Sequence, residues 1–437
     1  MSSYRCELAW TGDRLEHDVL IEAEGGRIVR VTPGAGPVPD AARLDGLVIP
    51  GFANAHSHAF QRALRGRAQT GRGSFWTWRE EMYRLAETLD PESYGRLARA
   101  TFAEMALAGI TTVGEFHYLH HAPGGTPYSD PNEIGKALIA AAVDAGVRIT
   151  LIDACYLHGE IDAEPEGAQR RFADADAEAW AERVSELEAG DGVRIGAAIH
   201  SVRAVDPQSA AIVAAWAGER ELPLHAHVSE QPAENEACAE AYGASPAAVL
   251  AEAAAIDERF VAVHATHLAD TDFALLGEAT ATCCLCPTTE RDLADGVGPA
   301  RRLADAGAGL ALGTDSNAVV DMFEEARAVE LDERLASGER GRHSAADLLR
   351  AATADGHRCL GWPEAGRIEP GALCDLVGVD LDGVRLAGTD RGDPVPALVF
   401  AATAADVREV IVGGRQVVGG GRHLTVDVAA ELREAIG

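Results

Sequence analysis

The chain has 437 residues, 47% apolar and 24% charged, which is too long for one ordinary domain and suits a barrel of about 250–350 residues plus a smaller unit. Its net charge of −31 argues against nucleic acid and anionic membrane as partners, since both need basic surface. Met1 to Trp10 carries Arg5 and Glu7 and no apolar run, and no stretch approaches the ~20 apolar residues of a membrane span, so a cytoplasmic enzyme is the expectation.

Short strand-like runs joined by Gly and Pro turns open the chain, at Asp18–Ile21 and Arg27–Val31. From about residue 47 the pattern changes. Short apolar runs alternate with longer Ala/Leu/Glu-rich segments of helical spacing, as at Tyr94–Ala108 and Pro246–Ala255. Eight candidate strands follow in order: Val48–His56, Thr111–His117, Arg148–Cys155, Arg194–His200, Pro223–Val228, Phe260–His264, Ala279–Leu285 and Gly309–Thr314. Eight such repeats imply an α/β fold, a (β/α)8 TIM barrel. After about residue 366 short strands return, at Asp375–Val379, Val407–Val412 and Arg415–Val418. The expected organisation is residues 1–46 and 366–437 as the two parts of one small β-sandwich domain, with the barrel over 47–365. Cys283, Cys284 and Cys286 lack the C-x2-C spacing of a zinc knuckle and read as small residues of a buried strand.

Four of the strand ends carry residues of chemical interest. His56 and His58 follow the run Leu47–Pro50, and residues i and i+2 of a strand point the same way, so both can reach one metal ion. His227 closes the fifth run and can supply a third imidazole. Glu230, three residues on, is placed to act as a general base on water at the metal without binding the ion. The sixth run ends in His264, favoured over His267 because it directly follows the apolar residues. Asp315, after the eighth run, is a hard ligand and proton acceptor. Each motif alone has a plain alternative: polar loop residues for the first, a solvated carboxylate for Glu230, a buried structural histidine for His264 and a helix N-cap for Asp315. Together they fall at the ends of several strands, where barrel enzymes build their sites.

This order of residues resembles the amidohydrolase superfamily, within it the deaminase branch, over nearly the whole chain. The resemblance implies His56, His58, His227 and Asp315 as metal ligands and Glu230, His264 and Asp315 as catalytic residues. Binuclear members of the superfamily usually bridge two metals with a carboxylated lysine at the end of strand four. The only lysine here, Lys136, lies before strand three, so one divalent metal is expected. Zinc fits three imidazoles and a carboxylate with one position open, and iron is also compatible.

Longer segments narrow the resemblance: Ser57–Ala63, Ser74–Tyr83 with its Phe-Trp-Thr-Trp-Arg run, Glu115–His121, Gln169–Phe172, His200–Val205 and Cys286–Glu290. They are similar to the N-formimino-L-glutamate deiminases of histidine breakdown. That resemblance implies release of ammonia from the formimino group to leave N-formyl-L-glutamate, with Gln61, Arg79, Tyr118, His200 and Arg203 binding substrate. Two carboxylates on the substrate call for cations near the metal, and the arginine fork pairs bidentately with carboxylate. The implied partners are a small anionic substrate and a second copy of the chain, in a homodimer. The chain departs from the group at Asn317, where histidine is usual, and in the acidic loop with Glu160, Asp162, Glu164 and Glu166. Both departures leave another formimino amino acid, such as N-formimino-L-aspartate, open as substrate. A deaminase of an aromatic base is the competing reading. For Arg79 the plain alternative is a surface salt bridge, and for Trp76 and Trp78 it is packing of a long loop.

Overall fold

The computed structural model describes residues 2–69 and 73–437. Eight parallel strands form one sheet in chain order: β1 (Phe52–Ser57), β2 (Ile110–His117), β3 (Arg148–Cys155), β4 (Val193–Ile199), β5 (Leu224–Val228), β6 (Phe260–His264), β7 (Thr282–Leu285) and β8 (Gly309–Leu312). The sheet closes past its last strand. Ser57 bridges in parallel to Asp315, with Asp315 N donating to His56 O and His58 N to Asp315 O, both at 2.9 Å. Strands β2, β3, β5 and β6 are buried along their whole length, as barrel strands covered by helices must be.

Helices fill the connections. α1 (Phe75–Thr88) and α2 (Pro91–Leu107) follow β1. The start of α2 is written locally: Asp90 caps it by accepting Ser93 N at 2.8 Å, and Pro91 occupies the first turn, where its missing N–H costs nothing. The segment beginning at Pro246 is helical to Glu252. Among the described residues no helix is long and apolar enough to cross a membrane.

Both termini build a second, mixed sheet of eight strands. Ser2–Thr11, Arg14–Glu24, Arg27–Thr32 and Ala42–Pro50 come from one end, and Leu376–Val379, Val407–Val412, Arg415–Gly419 and Arg422–His423 from the other. The sheet folds over its own small core of Cys6, Val19, Ile21, Leu44, Cys374 and Leu376. Ile28 N donates to Ala372 O at 2.8 Å and Arg27 bridges to Leu373, which brings the Arg27–Thr32 edge back toward the C-terminal half.

One expected element divides. The run Val48–His56 is not a single strand: residues up to Pro50 pair with Ser2–Thr11 and with Leu376–Val379 in the terminal sheet, and the barrel strand begins at Phe52. Gly51 is the break. A Cβ at this position would lie 2.2 Å from Thr111 Oγ1, so only glycine lets the chain pass from one sheet to the other there. Residue 46, where the small domain was expected to end, accordingly lies inside Ala42–Pro50.

Candidate active site

Four side chains converge at the carboxyl end of the barrel. His56 lies in β1 and His58 just past it, His227 is the penultimate residue of β5, and Asp315 follows β8. His56 Nε2 is 3.2 Å from Asp315 Oδ1 and 3.3 Å from His227 Nε2, and His58 Nε2 is 3.4 Å from Asp315 Oδ1. All four are buried. His58 Nδ1 donates to Phe116 O and His227 Nδ1 to His200 O, each at 2.9 Å. A carbonyl only accepts, so each of these rings carries its proton on Nδ1 and turns an Nε2 lone pair toward the common point. Burial, reinforced by the neighbouring His56, pushes His58 down to about 3 and His227 well below the usual histidine range, so protons do not relieve the crowding. Lone pairs and a carboxylate packed this closely in a buried site call for a cation among them. The donor set fits one divalent ion, and two of its histidines, His58 and His227, are oriented from behind by backbone carbonyls, the usual support for imidazole ligands.

Beside this cluster stand Glu230 and His264. Glu230 Oε1 is 3.6 Å from His264 Nε2, and Glu230 Oε2 is 3.9 Å from Arg203 Nη2. His264 ends β6, with Nε2 4.0 Å from Asp315 Oδ2 and Nδ1 3.3 Å from Glu290 Oε1. Burial raises the Glu230 carboxyl above its ordinary value, opposed by His264 and Arg203. A carboxyl whose charged form is disfavoured by burial takes up a proton more readily, which suits proton transfer.

A cavity opens over the cluster, and Gln61, Arg79, Tyr118, His200 and Arg203 all line it. Gln61 Nε2 donates to Tyr118 OH at 3.0 Å, while Gln61 Oε1 is buried and unpartnered among the described residues, leaving an acceptor at the wall. Burial and then the charge of Arg203 hold His200 well below its usual value, hence neutral. Arg203 is largely buried and makes no hydrogen bond among the described residues. Burial opposes its charge, but Glu234 and Glu230 keep it cationic. Arg79, on α1, lies over the Trp76 ring at 4.4 Å and donates to Glu160 Oε1 at 2.8 Å. The acidic loop therefore reaches the mouth and occupies this arginine. Trp78 faces the cavity, whereas Trp76 is 39% exposed and backs Arg79.

Asn317 plays no part in the cavity wall. Its Nδ2 donates to Ser57 Oγ at 3.2 Å and to His58 O at 3.1 Å, so it ties the seam between β1 and the segment after β8. His267 also points elsewhere, with Nε2 donating to Asp295 O at 2.7 Å. Cys283 and Cys284 lie in β7 and Cys286 just beyond it, all buried and unpaired. Sequence reasoning missed Glu290, Tyr156 and Phe172. Glu290 closes the singled-out segment Cys286–Glu290 and Phe172 the segment Gln169–Phe172, but nothing local to either segment tells that its side chain turns toward the site. Tyr156, one residue past β3, has only its position at a strand end as a signal.

An amidohydrolase family profile matches residues 47–417. The chain is 38% identical to formimidoylglutamate deiminase of Pseudomonas aeruginosa, over 97% of this chain and 96% of that one. It is 32% identical to a 5-methylthioadenosine/S-adenosylhomocysteine deaminase of Natronomonas pharaonis, over 96% and 92%. Among solved structures it superposes on an amidohydrolase from Brucella melitensis with a TM-score of 0.91 and 34% identity, covering 100% and 99% of the two chains. An adenosine deaminase from Xanthomonas campestris with bound zinc gives 0.86 and 25%, covering 99% and 96%. Fold and profile together define the class: the chain belongs to the amidohydrolase family and is a hydrolase of that superfamily.

Proposed function

We propose that this chain is a metal-dependent deiminase that hydrolyses N-formimino-L-glutamate to N-formyl-L-glutamate and ammonia. The observation that carries the reading is Arg203, a largely buried guanidinium that makes no hydrogen bond among the described residues and sits 3.9 Å from the proton-transfer group Glu230. In a chain of net charge −31, a buried cation at the site is placed for a carboxylate of the substrate. Arg79 stands ready for a second carboxylate once Glu160 gives way. The 38% identity to formimidoylglutamate deiminase supports the same assignment.

His56, His58, His227 and Asp315 would hold a divalent ion, which would supply Lewis acidity and let water lose a proton near neutral pH. The chain's own groups do the rest. Arg203 and Arg79 hold the carboxylates, and Gln61, Tyr118 and neutral His200 bind the polar backbone of the substrate and fix the formimino carbon in place. Glu230 accepts a proton from water as its oxygen bonds to that carbon, and delivers it to the imino nitrogen. His264 and Asp315 orient the attacking oxygen. The adduct's hydroxyl then gives up its proton, by way of Glu230, to the same nitrogen; the carbonyl forms as the bond from carbon to that nitrogen breaks, and ammonia leaves with the N-formyl product behind.

The aromatic walls, Tyr156, Phe172, Trp78 and Tyr83, favour a second reading, deamination of an aromatic base. A panel separates the two: ammonia release from N-formimino-L-glutamate, N-formimino-L-aspartate, guanine, cytosine and 5-methylthioadenosine, with metal analysis on the same preparation. The reading requires the highest kcat/KM on a formimino dicarboxylate and about one metal per chain. Preference for a ring substrate overturns it.

A further inference from the structure

We infer that Glu290 is the positioning residue of His264. It holds that ring by its Nδ1 proton and turns Nε2 toward the reacting centre. The inference rests on the proposed hydrolytic role of the site and extends it to a residue outside the cavity wall.

The geometry separates the histidines by what stands behind them. His58 and His227 give their Nδ1 protons to neutral backbone carbonyls, Phe116 O and His200 O. His264 instead faces a carboxylate, Glu290 Oε1, at 3.3 Å. Glu290 is 3% exposed and is itself fixed. It lies in the helix Pro287–Leu293, and the same Oε1 accepts Cys286 N at 2.9 Å. An ionised carboxylate only accepts, so the proton between the pair belongs to His264 Nδ1. Nε2 is thereby left as the ring's working atom, 3.6 Å from Glu230 Oε1 and 4.0 Å from Asp315 Oδ2. A ring that lost this contact could rotate and turn Nε2 away from the reacting centre. The support matters more here because the His264 backbone sits at φ 68°, a left-handed conformation that does not by itself fix the side chain.

The test uses Glu290→Ala and Glu290→Gln in the full, metal-loaded enzyme. Removing a hydrogen-bonding partner from behind a site histidine typically costs about 10–100-fold in activity. Glu290→Ala should lose about that much kcat, with KM within about three-fold and metal content unchanged. Glu290→Gln, which keeps an acceptor oxygen, should recover most of the loss. A substrate-free readout runs beside it: 15N–1H spectra of the ring nitrogens should show the His264 proton on Nδ1 in the wild type and redistributed in Glu290→Ala. Full kcat in Glu290→Ala, a Glu290→Gln no better than alanine, or a wild-type ring with no proton on Nδ1 overturns the inference. Because kinetics can be run on whichever substrate the panel finds, and the spectra need none, failure of the formimino assignment is read separately.

Discussion

Arg203 and Glu230 are both charged groups held out of water, and each is tolerable because the other stands 3.9 Å away with Glu234 close by. Glu234 Oε2 accepts Glu230 N at 3.1 Å, which keeps the loop after β5 in place. Truncating one partner of a buried charge pair costs about 2–5 kcal/mol. Arg203→Met should therefore lower kcat/KM for formimino dicarboxylates by about 30-fold or more and leave metal content alone, with a smaller loss, passed through Glu230, on a neutral ring substrate. An equal loss on charged and neutral substrates would count against the carboxylate clamp. Glu230→Gln keeps the shape but cannot accept a proton, and loss of a general base costs about 10²–10⁴-fold in rate. Metal should stay bound, since Glu230 is not among the proposed ligands, and near wild-type turnover would remove it from the mechanism. Both residues were legible in the sequence because each lies a few positions past an apolar run. The pairing of Arg79 with Glu160 was not, since 81 residues separate them and the two meet only across the cavity mouth.

At the scale of elements, the strand ends do the positioning. Ser229, His264, Ala265, Asp315 and Asn317 all have left-handed backbones, with φ of 52°, 68°, 51°, 42° and 55°. Non-glycine residues in that region cost about 1–3 kcal/mol each, so the surrounding structure must hold them there. At the seam between β1 and β8 the holding groups are visible. Asn54 Nδ2 donates to Thr314 Oγ1 at 2.7 Å and Asn54 Oδ1 accepts Thr314 N at 2.9 Å, while Thr314 Oγ1 donates to Asn317 Oδ1 at 2.6 Å. Asn54→Ala would leave the buried Thr314 N–H without a partner, at a cost of about 1–3 kcal/mol. The expected result is a lower denaturation midpoint in the metal-loaded protein. An unchanged midpoint would mean the seam does not depend on this contact.

Across the whole molecule, the barrel and the terminal sheet are joined by charge as well as by apolar packing. Arg148, which opens β3 at the end of the barrel away from the cavity, pairs with buried Asp375, whose other oxygen accepts Gly413 N at 2.7 Å. The C-terminal helix Val428–Ile436 packs on α2, with Glu431 paired to Arg99. Breaking a buried pair by removing one partner costs about 3–5 kcal/mol, because the remaining charge is stranded. Arg148→Met should thus lower the thermal midpoint clearly and leave kcat/KM near wild type at low temperature, since the pair lies at the opposite end of the barrel from the site. Loss of activity without loss of stability would show that the terminal sheet acts on chemistry.

By itself the sequence determined the repeat of apolar runs, hence the barrel, and the chemically charged residues at the strand ends, because period and burial are local properties. It could not place the break at Gly51, since the run on either side is equally apolar and only the Thr111 side chain, 60 positions on, forbids a larger residue. It could not show that Asn317 serves the seam rather than the cavity, or that Glu290 reaches His264 across 26 residues of chain. Those contacts exist only once the barrel has closed. Closure brings side chains from distant strands to one rim, and a pattern that repeats along the chain carries no record of which of them will meet.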